Sequence, residues 1–305
     1  MRRAHRGDDL SRVLGGTAPV AGGRDLALPG GDLRLAATRW SGTGTPILLL
    51  HGLASQRRFW NLVATELAGR PVCALDQRGH GDSDQPDDGY DLATVAADAA
   101  TALDALGWSR AVVVGHSWGA AVATTLAAEH PERVLAVVAV DGGLGSPLAE
   151  GGTREEWRQR LEPPRIAAPP DELTARLRQG PLAPWWSDAV EQAVLPIFAV
   201  GDDGLARARL TRERHLAILD GLLDYDAPGT LARVAAPLWA LACLGDDDWS
   251  AAKQRQLTGL PERVARVRAF ALHGAVHDVP LQWPALVAGV VKAAADEVAA
   301  TEGRG

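Results

Sequence analysis

The stretch "VVVGHSWGAAV", residues 112–122, sets a serine between two glycines, in the order Gly115-His116-Ser117-Trp118-Gly119. In a chain of 305 residues with 33 glycines, five such letters carry little weight alone, and the flanks must decide their meaning. Residues 111–114 form an unbroken apolar run, the signature of a strand buried on both faces. Residues 120–128 are alanine-rich and read as a helix. A serine at a strand-to-helix turn needs small neighbours, because a side chain there would meet backbone. It also stands at a helix N-terminus, where unpaired N–H groups favour a developing negative charge. Ser117 therefore reads as a nucleophile.

Working outward, the runs "PILLL", "PVCAL", "AVVVG", "VLAVVAV", "PLWALACL" and "RVRAFAL" alternate with segments of helical character such as "TVAADAATALDALG". Short apolar strands alternating with helices imply a mostly parallel sheet covered on both faces. Two further strands are expected around the hairpin signal Gly30-Gly31, which makes eight. The alternation lapses across residues 142–236, where helical pieces are punctuated by proline and no buried strand is evident. The expected organisation is a flexible tail at 1–23, an α/β core from 24–141 and 237–305, and a helical lid at 142–236.

Composition narrows the partners. A net charge of −7 without a basic stripe gives no electrostatic footprint for nucleic acid or anionic lipid. The longest apolar runs fall far short of the roughly 20 residues that cross a bilayer, so no membrane partner is expected. The N-terminal residues lack the apolar core of a secretory signal. Two cysteines, Cys73 and Cys243, both inside apolar runs, suit a reducing cytoplasm and suggest neither a disulfide framework nor a metal site. The expected partner is a small molecule, with no cofactor and no metal.

Three ordered motifs resemble the α/β-hydrolase family. Besides the elbow at Ser117, "LLLHGLASQRRFW" is similar to the family's loop after the third strand, and "ALDQRGHGDSD" to its turn after the fourth. The resemblance covers almost the whole chain after residue 24 and implies the sheet order 1-2-4-3-5-6-7-8, with the lid after strand six. In that order Cys73 and Cys243 stand four strands apart, roughly 19 Å at ~4.8 Å per step, too far for a disulfide.

A serine hydroxyl needs a base to take its proton and a third group to orient that base. The resemblance implies the chain order serine, acid, histidine. Of eight histidines, His277 in "ALHGAVHDVPLQWP" matches the family's histidine loop, while His273 sits too near the strand end. For the acid, the spacing G-x-x-D counted from Gly245 in "LACLGDDDWS" selects Asp248, with Asp247 the runner-up. Asp141 in "VVAVDGG" is a further competitor, since some family members take their acid after strand six. The backbone N–H groups of Leu53 and Trp118 are expected to form an oxyanion hole. Trp60, Trp185, Trp186 and Trp249 are expected to line an apolar pocket. Arg57 and Arg58 read as solvated residues at a helix start, with capture of a substrate carboxylate as the other use.

The expected activity is that of a serine hydrolase acting on a small, largely apolar ester or lactone through an acyl-enzyme. Carbon–carbon bond or amide hydrolysis by the same residues, or ligand binding with little turnover, are the alternatives. Epoxide ring-opening is disfavoured, because those relatives carry an aspartate at the elbow.

Overall fold

The computed structural model describes residues 22–245 and 248–303. Apart from residues 22 and 23, the expected tail therefore lies outside the described residues. Ten strands form: β1 (Gly23–Gly30), β2 (Leu33–Trp40), β3 (Ile47–Leu50), β4 (Val72–Leu75), β5 (Ala111–His116), β6 (Val134–Val140), β7 (Phe198–Val200), β8 (Ala206–Ala208), β9 (Leu238–Leu244) and β10 (Val267–His273). Eight of them make one sheet in the order β1-β2-β4-β3-β5-β6-β9-β10. With β9 and β10 as the seventh and eighth strands, this is the order expected. Only the β1–β2 and β2–β4 pairings are antiparallel. The first two strands meet across a two-residue turn that opens at Gly31, whose φ of 61° lies in the left-handed region that glycine occupies without penalty.

The apolar runs are continuous because the central strands bury both faces. Leu48 and Leu50 of β3 pack into one apolar cluster while Ile47 and Leu49 pack into the other. Val113 and its neighbours Val112 and Val114 divide in the same way. The first cluster is completed by α2 (Leu92–Ala105) and α3 (Trp118–Glu129), the second by α1 (Asn61–Glu66) and the C-terminal helix α10 (Pro284–Glu302). Full burial of each such valine or leucine contributes roughly 1.5–3 kcal/mol. β10 is an edge strand, with Val267, Phe270 and Leu272 partly covered and the rest exposed.

Between β6 and β9 the chain forms α4 (Arg154–Arg160), α5 (Pro170–Leu177), α6 (Asp188–Val194), α7 (Arg212–Leu223) and α8 (Ala227–Ala232); α9 (Asp248–Gly259) follows β9. The insertion is helical as expected, but β7 and β8 add a short antiparallel hairpin to it. Three residues per strand, with one buried in each, are too few to leave a pattern in the sequence. The insertion has its own apolar contacts. Trp157 from α4 packs with Leu216, Leu219 and Leu223 from α7, and this cluster rests on Leu53 and Trp249. Cys73 and Cys243 are both buried and unpaired, on strands four positions apart. Among the described residues, no helix is long and apolar enough to cross a membrane.

Candidate active site

Ser117 links β5 to α3 with φ 54° and ψ −120°, a backbone conformation that non-glycine residues rarely adopt. The flanking glycines explain how the turn closes. A Cβ on Gly115 would lie 2.1 Å from the Gly119 carbonyl oxygen, and one on Gly119 would lie 2.4 Å from the carbonyl oxygens of Leu50 and His51. The Ser117 N–H donates to the Val140 carbonyl at 2.9 Å, tying the turn to the end of β6.

Across the turn stands His277, in the loop after β10. Its Nε2 is 3.0 Å from Ser117 Oγ, and its Nδ1 is 2.5 Å from Asp141 Oδ2. The loop is anchored on both sides of the ring: His116 Nε2 lies 2.9 Å from the His277 carbonyl, and the Val276 N–H donates to Gln282 Oε1 at 2.7 Å. Asp141 directly follows β6 and has a φ of 49°. Its carboxylate is fully buried and held by three groups. The Cys243 N–H donates to Oδ1 at 2.8 Å, while His277 and the Lys253 ammonium, at 2.7 Å, both meet Oδ2.

This corrects the expected acid. Asp248 is the first residue of α9, and Asp247 lies outside the described residues. The acid facing His277 Nδ1 is Asp141. A ring N–H makes one good hydrogen bond, so no second acid can take that place. The glycine-counted spacing after β9 pointed to the wrong strand. The informative signal was an aspartate closing a wholly buried strand beside the strand of the serine.

Electrostatics separates His277 from the other histidines nearby. Burial pushes His51 down to about 4 and His80 and His116 down to about 3, so all three are neutral imidazoles. Burial also acts to lower His277, but the Asp141 carboxylate outweighs it and raises the pKa above the ordinary value. Burial acts to raise Asp141, yet His277 and Lys253 hold it at about 2, so the acid is ionised. The set brings together a hydroxyl, an imidazole within hydrogen-bond distance of it and a carboxylate against the far side of the ring.

The loop after β3 approaches the serine closely: a Cβ on Gly52 would stand 3.1 Å from Ser117 Cβ. Among the described residues, neither the Leu53 nor the Trp118 backbone N–H makes a hydrogen bond. Trp118 opens α3, where a helix has no internal acceptor to offer. Both donors therefore remain available beside Ser117. His51 accepts from the Gln77 N–H at 3.1 Å.

The expected pocket residues scatter. Trp60 is fully buried in the cluster beneath α1, its indole packed edge-on against Phe59. Trp185 is half-buried, and Trp186 donates to Glu191 within the insertion. Trp249 packs on Trp157 with ring centroids 5.2 Å apart. None of the four lines a cavity of about 150 Å³ between the core and the insertion, which is walled by Ala54, His80, Ile197, Phe198 and Leu210 among others. Arg57 and Arg58 are not solvated. Both are buried, Arg57 pairing with Asp76, Asp82 and Asp25 and Arg58 with Asp25, so they brace the loops around the site.

The chain resembles known proteins in sequence and in fold. A family model described as the alpha/beta hydrolase fold matches residues 45–196, about half of the chain. The chain is 39% identical over 104 residues to 2-(acetamidomethylene)succinate hydrolase of Mesorhizobium japonicum, an alignment covering 34% of this chain and 37% of that protein. It is 36% identical over 129 residues to epoxide hydrolase B of Mycobacterium tuberculosis, covering 39% and 36%. These sequence matches thus span little more than a third of either relative. In three dimensions, a crystal structure of E-2-(acetamidomethylene)succinate hydrolase superposes with a TM-score of 0.74 at 24% identity, covering 90% of this chain and 99% of that one. A thioesterase domain from the curacin biosynthetic pathway gives 0.71 at 21% identity, covering 88% and 99%. With its eight-stranded sheet, its elbow after β5 and these likenesses, the chain belongs to the α/β-hydrolase fold family.

Proposed function

We propose that the protein is a serine hydrolase of small, largely apolar carbonyl compounds, an ester or a lactone first among them. In this reading Ser117 Oγ attacks the carbonyl carbon while His277 Nε2 takes its proton. The oxyanion is received by the Leu53 and Trp118 N–H groups, and His277 returns the proton to the leaving group. Water then attacks the acyl-enzyme, with His277 again acting as base. Asp141 orients the imidazole and stabilises the charge it gains.

The observation that carries the proposal is the unbroken line Ser117 Oγ, His277, Asp141, with separations of 3.0 and 2.5 Å. A ligand-binding protein has no need of a base within reach of a hydroxyl. A serine at the elbow also separates this chain from ring-opening through an alkyl ester, the chemistry expected of relatives with an aspartate there. The insertion between β6 and β9 serves as a lid in this reading.

The test is labelling by a fluorophosphonate together with hydrolysis of p-nitrophenyl acetate, on the wild type and Ser117→Ala. The wild type should label and hydrolyse, and the variant should neither label nor retain more than roughly a thousandth of the rate. Full hydrolysis by Ser117→Ala would overturn the proposal.

A further inference from the structure

The acid of this site carries a second partner. Lys253, on the second turn of α9, places its ammonium 2.7 Å from Asp141 Oδ2, the same oxygen that lies 2.5 Å from His277 Nδ1. The ammonium also donates to the Cys243 carbonyl at 3.2 Å, which pins it above the end of β9. Both donors share one oxygen, so the cation and the imidazole stand within about 5 Å of each other.

We infer that Lys253 is a positioning residue for the base: its ammonium fixes the Asp141 carboxylate and keeps the imidazole unprotonated at a lower pH than the carboxylate alone would allow. The inference rests on the reading of Ser117, His277 and Asp141 as the reacting set. A carboxylate bonded only to His277 would stabilise the imidazolium with its full charge. Lys253 neutralises part of that charge, so the base stays available while the carboxylate still orients it.

The other groups facing this cluster do not supply the same effect. From β5 comes His116, its ring centroid 4.7 Å from that of His277 and its imidazole neutral through burial. From β9 comes Cys243, whose thiol burial pushes well above its ordinary value, leaving it uncharged. Asp278, next in sequence to His277, is raised by burial and favours the imidazolium to the extent that it ionises. Among the described residues, Lys253 is the cation bonded to the cluster.

The experiment is an NMR titration of histidine-labelled full-length protein, with the His277 resonance assigned by its loss in His277→Gln. Alongside it, the pH dependence of the fluorophosphonate labelling rate is measured. In Lys253→Met the His277 titration and the acid limb of labelling should both move up by about one pH unit. Lys253→Arg should restore both to near the wild-type position. Because Lys253 is partly exposed, Lys253→Gln offers a second neutral variant if the methionine protein melts early by circular dichroism.

A purely structural lysine would lower thermal stability without moving the titration. An unmoved or downward-moved His277 in the neutral variants overturns the inference. The two readings fail separately: absent labelling in the wild type would sink the role of Ser117, while the titration alone would still decide that of Lys253.

Discussion

Replacing Asp141 by asparagine tests the revised acid directly. Three donors converge on the carboxylate: the Cys243 N–H on Oδ1, and His277 Nδ1 and Lys253 Nζ on Oδ2. An amide offers one acceptor oxygen and one NH₂ group, so one side must face a donor it cannot satisfy. With NH₂ in the Oδ2 place, it opposes the ammonium and presents a donor to Nδ1. The imidazole must then carry its proton on Nε2 and can no longer accept one from Ser117. With NH₂ in the Oδ1 place, it faces the buried Cys243 N–H, at a cost of about 1–3 kcal/mol for the unmade bond. The tautomer loss should lower the labelling rate and ester hydrolysis by about 10⁴-fold, equivalent to ~5.5 kcal/mol of transition-state stabilisation. Asp248→Asn, made in parallel, should stay within about threefold of the wild type, because His277 Nδ1 already has its partner. The assay is the second-order rate of fluorophosphonate labelling near pH 8, with far-ultraviolet circular dichroism to establish folding. A folded Asp141→Asn protein with wild-type rates, or a large loss in Asp248→Asn, would refute the reasoning.

Other outcomes follow from the same geometry. Gly119→Ala places a Cβ against two backbone carbonyls that cannot give way, so it should abolish labelling and destabilise the fold by about 3 kcal/mol, read from urea midpoints. The two cysteines should be silent to Ellman's reagent in the native protein and react on unfolding in urea, since both are buried and burial pushes the Cys73 thiol up to about 12. Rapid native reaction of either thiol would contradict the strand positions assigned to them.

The sheet was legible because its central strands are buried on both faces, which leaves apolar runs such as residues 134–140 with no polar interruption. The elbow was legible because its turn tolerates only glycine at 115 and 119, and His277 because its loop keeps a recognisable spacing. Asp141 was legible only as a competitor. Any aspartate at the end of a strand can cap a turn, and what distinguishes this one is a partner far along the chain. Lys253 left no signal at all, because a lysine in an amphipathic helix has the appearance of a solvated residue until the packing of α9 on β9 turns it inward. Trp60 and the two arginines misled for a related reason. Residue type announces amphipathic capacity, whereas depth is set by the loops that cover it, and the carboxylates of Asp25, Asp76 and Asp82 draw Arg57 under the surface.

Asp141 at the end of β6 puts the serine and the carboxylate facing its histidine in one short stretch of chain. The serine and its carboxylate belong to one βαβ unit, β5-α3-β6, whose two strands are neighbours in the sheet. The contacts that bring them together are local in sequence, so this unit can organise early with a small loop-closure penalty. The histidine comes from much farther along the chain, on the loop after β10, which pairs with β9 at the sheet edge and reaches back over β5. Two of the three residues of the proposed reacting set are thus carried by one contiguous piece of chain, and a break anywhere in residues 142–236 would leave Ser117 and Asp141 on the same fragment.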